Sequence, residues 1–253
     1  MKFTKKQIDR YSRQIILKKI GVIGQKKLLK SSVLIVGAGG LGSPIAIYLT
    51  ALGIGNIGIV DKDIVETSNL SRQIIFSNND VKKKKSSIAI SKLKKLNPDI
   101  QLKSYQKKLT KKNVDKIAKN FEVIVDGSDN FRTRFLINDY CLENKKILVS
   151  GAISKFDGQV YTFNFSNKKS PCLRCFIPKM PNNLNDTCER IGSPPPSALL
   201  NATLFLIRII PRRSITESGY LHALRSNGEA GHHPLFRFPS KPPINNLCLF
   251  EVP

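Results

Sequence analysis

Ser32-Val-Leu-Ile-Val36 runs directly into Gly37-Ala-Gly-Gly-Leu-Gly42, and an apolar helical pattern follows through Leu52. The first five residues read as a buried strand, the glycines as a tight turn, and the stretch from Gly42 as a helix. Such a turn gathers main-chain N–H groups at the positive end of a helix, an arrangement that holds phosphate. A second apolar run, Asn56-Ile-Gly-Ile-Val60, leads to Asp61, at the distance where a carboxylate accepts hydrogen bonds from a ribose. Together these stretches predict a bound nucleotide; a glycine-rich turn with no ligand is the competing reading.

Outward from this unit the chain alternates. Helices are predicted over 5–19, with a second short one to Lys30, and over 42–52, 81–96, 110–119 and 130–143; strands are predicted over 32–36, 56–61, 101–105, 122–126, 146–150 and 158–165. This order predicts an α/β fold: a doubly wound, mostly parallel Rossmann-like sheet with helices on both faces and an N-terminal helical extension over residues 1–30. Functional side chains are then expected just after strands, at Gly37–Gly42, Asp61–Arg72, Asp126–Arg134 and Gly151.

At 253 residues, 41% of them hydrophobic, the chain can bury one substantial core, and it has no apolar run of membrane-spanning length. Its first residues lack the apolar centre of a secretion signal, so a cytoplasmic, reducing setting and no membrane partner are expected. The net charge of +24 raises the question of nucleic acid. Its lysines are scattered along the chain, however, and the densest run, Lys82 to Lys85, has no interleaved aromatics on which bases could stack. We therefore expect no nucleic-acid partner, and faster association with acidic proteins.

The expected positions after strands hold Asp63, Asn69 and Arg72 in one segment and Asp129 and Asn130 in another. A hydride-transfer site needs little positive charge beyond its glycine loop. Reaction at a triphosphate needs cations for the developing charge and a carboxylate for magnesium, which Arg13, Arg72, Lys85 and Asp129 would supply. Each has a plainer alternative: Arg13 and Arg72 as surface arginines, Lys85 as one of four interchangeable lysines, and Asp129 as a helix cap. No histidine precedes His222, which weakens any reading that needs a catalytic histidine.

Arg10-Tyr-Ser-Arg-Gln-Ile-Ile16, Val36-Gly-Ala-Gly-Gly-Leu-Gly-Ser43, Asp61-Lys-Asp63, Ser68-Asn-Leu-Ser-Arg-Gln73, Asp126-Gly-Ser-Asp-Asn130, Ser150-Gly-Ala152 and Pro171-Cys-Leu-Arg-Cys175 jointly resemble the MoeB/ThiF/HesA adenylyltransferases, from about residue 8 to residue 192. The resemblance implies ATP-dependent adenylylation of the C-terminal glycine of a small ubiquitin-like sulfur carrier ending in Gly-Gly, of molybdopterin or thiamine type. Pyrophosphate is released, and the acyl-adenylate receives sulfur from a separate donor. It implies that Gly37, Gly39, Gly40 and Gly42 line the phosphates, that Asp61 and Asp63 serve the ribose side, and that Asn69, Arg72 and Lys85 bind the polyphosphate. Asp129, with Asn130 beside it, is implied as the magnesium ligand, and Arg13 as the arginine given across a homodimer interface. Residues 31–192 are then the ATP-binding adenylation domain. A nicotinamide-dependent oxidoreductase remains the alternative on the glycine loop alone.

Five cysteines in a chain without a secretion signal argue against a disulfide framework. Cys141 reads as core. Cys172 and Cys175 form half of a tetrathiolate zinc site, which the family completes with a second pair; here Cys248 stands alone. Cys188 matches a family position that serves sulfur transfer in some members. After Gly192 the composition changes: residues 1–192 hold 29 of 30 lysines, whereas residues 193–253 hold all three histidines, 9 of 14 prolines and no aspartate. That tail is read as irregular, partly disordered, and frameshifted or otherwise non-homologous, which leaves a nucleotide-binding remnant with impaired turnover as a further alternative.

Overall fold

Ser32–Val36 forms β1, and all five of its residues are buried. In this computed structural model, which describes residues 2–154, 157–167, 170–178, 221–225 and 250–251, β1 lies in the middle of one sheet. It pairs in parallel with β2 (Asn56–Val60) on one side and β4 (Val123–Asp126) on the other. A parallel strand covered on both faces has no solvent side, which is why its sequence is continuously apolar. Alternate residues serve opposite layers: Val33 and Ile35 join one apolar cluster, Leu34 and Val36 the other.

The helices follow from that division. On the Val33 side pack α3 (Gly42–Leu52), through Ile45 and Leu49, and α4 (Lys85–Leu96), through Ala89 and Leu93. On the Leu34 side pack α5 (Val114–Ala118), through Val114 and Ile117, and α6 (Phe131–Glu143), through Ile137, Tyr140 and Cys141. Cys141 is fully buried, as expected of a core cysteine. With β3 (Gln101–Tyr105), β5 (Ile147–Ser154) and β6 (Asp157–Asn164) the sheet order is β3-β2-β1-β4-β5-β6. The chain winds outward from β1 to β3, then returns to β4 and winds the other way. The crevice at that reversal, between the loops after β1 and β4, is where such sheets bind ligands.

Two features precede and follow this layer structure. α1 (Lys5–Ile15) opens with a Thr4/Gln7 capping box and is held down by Tyr11, whose ring packs on Gly53 and whose hydroxyl accepts a hydrogen bond from Asn97 at 2.9 Å. The expected single helix to Lys19 stops at Ile15, tight turns intervene, and α2 (Gly21–Lys30) continues. Within the segment read as an irregular tail, β7 (Leu221–Arg225) pairs antiparallel with β6, and β8 (Phe250–Glu251) adds to β7. The remainder of 193–253, with the frameshift reading and Cys248, lies outside the described residues. Among the described residues no helix is long and apolar enough to cross a membrane.

The helix expected from residue 81 begins only at Lys85, for a local reason. The Asp80 carbonyl accepts from Lys83 N at 3.0 Å, with Val81 at φ −54° and ψ 140° and Lys82 at φ 67°. This is a type II turn, whose third position calls for glycine. Lys82→Gly is expected to raise stability by about 0.5–1 kcal/mol, the left-handed strain relieved less the added freedom of the unfolded chain. Thermal unfolding measures it; an unchanged or lowered midpoint would show that the turn stores no strain.

Candidate active site

The phosphate loop is held by close approach. Gly37 has φ 93°, and a Cβ there would meet the Gly127 carbonyl oxygen at 2.9 Å; a Cβ on Gly42 would overlap the Gly37 carbonyl. The loop after β1 is thus pressed against the loop after β4 and against its own helix start. Gly37 N donates to Val60 O, and Ser43 N donates to Gly39 O as α3 begins. The first N–H groups of α3 therefore open toward the crevice.

Asp61 closes one side. One of its carboxylate oxygens accepts from Ala38 N at 2.8 Å and the other from Asp63 N at 2.8 Å. Each keeps a lone pair for further donors. Burial raises the carboxyl above its ordinary value, opposed by those two N–H donors and by Lys85. Lys85 is the one buried member of the four-lysine run, 8% exposed, while Lys82, Lys83 and Lys84 point to solvent. The four lysines are therefore not interchangeable. Asp63 is exposed and joins the two, its N–H donating to Asp61 and its carbonyl accepting from Lys85 N at 3.0 Å.

Asn69 is buried in a short 3-10 turn, with its Oδ1 accepting from Glu66 N at 3.1 Å. Arg72 follows and donates to Ser68 O at 3.0 Å, so its guanidinium is folded along its own segment. Gln73 is a residue the sequence reading missed. It is 3% exposed, its Nε2 lies 3.9 Å from where a Gly39 Cβ would stand, and its Oε1 has no partner among the described residues. The only signal for it was its place in the Arg72-Gln73 pair.

The loop after β4 is fastened by Asp126, which opens the expected functional stretch but was given no role of its own in the sequence reading. Its buried carboxylate accepts from Ser128 N at 3.0 Å, Ser128 Oγ at 2.6 Å and Ser150 Oγ at 2.8 Å. Arg134 donates to Ser128 O at 2.7 Å from the far end of the loop. Asn130 caps α6, its Oδ1 accepting from Thr133 N at 2.9 Å, and its Nδ2 donates to Asp129 at 3.2 Å. The capping alternative for Asp129 is thereby overturned: Asn130 takes that position, and the exposed Asp129 carboxylate accepts only from its neighbour's amide among the bonds described.

Among the contacts described, none joins Arg13 to this cluster in its own chain. Tyr11 anchors α1 at Gly53 and Asn97, which end α3 and α4, and Arg10 bonds Leu96 O and Asp99 there. The phosphate loop lies at the other end of the 11-residue α3, about 16 Å away. Arg13 itself is exposed.

Cys172 and Cys175 stand together on the turn into α7 (Leu173–Phe176), with sulfurs 3.8 Å apart. The turn is pinned to α6 by Leu173 N donating to Asn138 Oδ1 at 2.8 Å and by a two-pronged Arg174–Asp139 pair at 2.8 and 2.7 Å. The sulfur spacing fits one edge of a zinc tetrathiolate, about 3.8 Å for zinc–sulfur bonds of ~2.3 Å. Among the described residues no group of three or more metal-ligating side chains forms, so they supply half a closed zinc site. Cys188 lies outside the described residues.

Comparison with known proteins points the same way. The sulfur carrier protein adenylyltransferase of Thermus thermophilus is 45% identical over 184 residues, 72% of this chain and 68% of that one. The probable molybdopterin-synthase adenylyltransferase of Porphyra purpurea is 44% identical over 192 residues, 75% of this chain and half of that one. Among solved structures, that of Escherichia coli MccB with ATP aligns with a TM-score of 0.66 at 24% identity, over 81% of this chain and 64% of that one, a likeness of fold. The ThiF family profile matches residues 11–223, so the glycine loop, Asp61, Lys85 and the Asp129 loop all fall within it, and the chain belongs to the ThiF family.

Proposed function

We propose that this chain uses ATP to adenylylate the C-terminal glycine of a small ubiquitin-like sulfur-carrier protein, releasing pyrophosphate. The convergence of the phosphate loop, Asp61 and the buried Lys85 linked to it through Asp63, and the Asp129 loop at the sheet's reversal carries the reading. The names of the Thermus and Porphyra relatives support it.

The chemistry asks for what these residues offer. A carboxylate oxygen of the carrier attacks the α-phosphorus of ATP; the bond from that phosphorus to the bridging oxygen breaks, and the electron pair leaves with pyrophosphate. The attacking carboxylate is already ionised at neutral pH, so no general base is required. The obstacle is repulsion between two anions, met by fixed cations and by holding the reactants in place. Gly37, Gly39, Gly40 and Gly42 with the start of α3 receive phosphate, Asp61 receives the ribose, and Asn69, Arg72 and Lys85 receive the polyphosphate. Asp129 is a hard, exposed oxygen donor of the kind magnesium takes alongside phosphates and water, and its bonded neighbour Asn130 orients it. Magnesium bound there would neutralise developing charge on the phosphates. No step is assigned to zinc.

The position of Arg13 supports a homodimer in which each protomer gives that arginine to its partner's site. The same end of the chain carries an exposed apolar set, with Ile16 at 70%, Leu17 at 52% and Ile23 at 73% exposure, suited to burial against a second copy. The free thiols Cys141, Cys172 and Cys175 agree with a reducing, cytoplasmic setting. Residues 31–192 hold the adenylation site, and the family match runs past them to residue 223.

Exchange of labelled pyrophosphate into ATP tests the reading. We expect exchange that depends on magnesium and on a carrier ending in Gly-Gly. Tight NAD binding without ATP binding would overturn it in favour of the oxidoreductase, and ATP binding without exchange would favour a remnant without turnover.

A further inference from the structure

Asp80 is a buried carboxylate, 7% exposed, that takes no part in the chemistry above. It ends the short 3-10 turn Asn78–Asp80, and one of its oxygens accepts from Ser77 N at 2.8 Å and from Ser77 Oγ at 2.7 Å. The same oxygen pairs with the Lys92 ammonium, which reaches back from the second turn of α4 and also donates to Ser77 Oγ at 3.3 Å. Burial alone would push such a carboxyl up. The Lys92 ammonium and the two Ser77 donors outweigh it and hold the group at about 2, so Asp80 is fully charged at neutral pH.

What Asp80 ties down leads straight to the site. Its carbonyl accepts from Lys83 N, closing the type II turn with Lys82 in the left-handed region. The next residues are fastened to the segment after β2: Lys82 N donates to Val65 O, Val65 N to Lys83 O and Lys85 N to Asp63 O. The strap 82–85 thus lies antiparallel on 63–65, with Ile64 paired to Lys84, and delivers Lys85 toward Asp61. Asp80 joins the chain before the strap to the helix after it.

We propose that Asp80, with Ser77 and Lys92, is a positioning residue: it ties the turn that precedes the strap to Lys92 on α4, so holding both ends of the strap that aims the Lys85 ammonium at the nucleotide's polyphosphate. This rests on the reading of Lys85 as a polyphosphate ligand. A lysine is a point charge on a flexible stem, so where it acts depends on where its backbone is held. Displacement by about 1 Å can cost up to ~10²-fold in a reacting assembly.

The test compares calorimetric binding of MgATP and of AMP, which lacks the β- and γ-phosphates, on the full chain. Asp80→Asn is expected to weaken MgATP about tenfold and leave AMP unchanged. In a Lys85→Ala background the same change should weaken MgATP no further. Lys92→Met cuts the tie from its more exposed side and carries the same expectation if Asp80→Asn fails to fold. Equal loss for both nucleotides, no loss, or undiminished loss in the Lys85→Ala background would overturn the proposal and leave Asp80 a structural residue. If the wild-type chain binds neither nucleotide, or Lys85→Ala binds MgATP as tightly as wild type, the underlying reading fails, and the proposal with it.

Discussion

Asp129→Ala is expected to lower magnesium-dependent pyrophosphate exchange by about 10³-fold or more while leaving the fold intact. The two halves of that expectation come from different observations. Stability should hold because Asp129 is exposed and supports no element: the α6 cap is Asn130, and the loop is fastened by Asp126, Ser128, Ser150 and Arg134. Exposed positions away from such anchors usually move stability by no more than ~0.5 kcal/mol. Activity should fall because the carboxylates nearest at hand are already engaged: Asp61 accepts from Ala38 N and Asp63 N, and Asp126 from Ser128 N, Ser128 Oγ and Ser150 Oγ, so neither is well placed to take over a metal. Exchange assays over a magnesium titration, beside a thermal melt, separate the two. Retained exchange would remove Asp129 from the metal, and a collapsed melt would return it to a structural role.

How far these residues could be read in advance depended on whether their roles are local. β1, the glycine loop and α3 are legible because strand, turn and helix each carry a signal within a few residues, and Gly37 and Gly42 are demanded by approaches inside the same unit. The boundary at Lys85 was not legible. A run of lysines has helical propensity throughout, and what stops the helix is a turn closed by Asp80 and pairing with 63–65, neither of which periodicity reports. The same holds for Lys85 itself: identical neighbours are told apart only by which one the strap turns inward. The roles of Asp126 and Gln73 were not legible because their partners come from other strands and loops, at Ser150 and beside Gly39. Asn130 was legible only in part. Its helix start was plain, but whether it or Asp129 would cap depended on a backbone angle no residue type announces.

Arg13→Ala and Asp129→Ala proteins, each inactive alone, are expected to recover about a quarter of wild-type exchange when co-refolded in equal amounts. Arg13 sits on α1, whose anchors Tyr11 and Arg10 hold it at the ends of α3 and α4, roughly a helix length from the phosphate loop of its own chain. No contact described for the chain joins the Arg13 guanidinium to its own phosphate loop from there. If Arg13 acts, it acts on a second copy. In a mixed dimer the Arg13→Ala protomer keeps its own Asp129 and borrows Arg13 from its partner, so one of the two sites is whole. Random pairing makes half of the dimers mixed, which sets recovery at about a quarter. A mixture as inactive as its parts would show that Arg13 does not act in trans. Recovery that vanishes when Ile16 and Ile23, exposed on the same end of the chain, are both made aspartate would locate the shared surface there. Unchanged recovery would move the interface elsewhere while leaving the exchange of arginines between protomers intact.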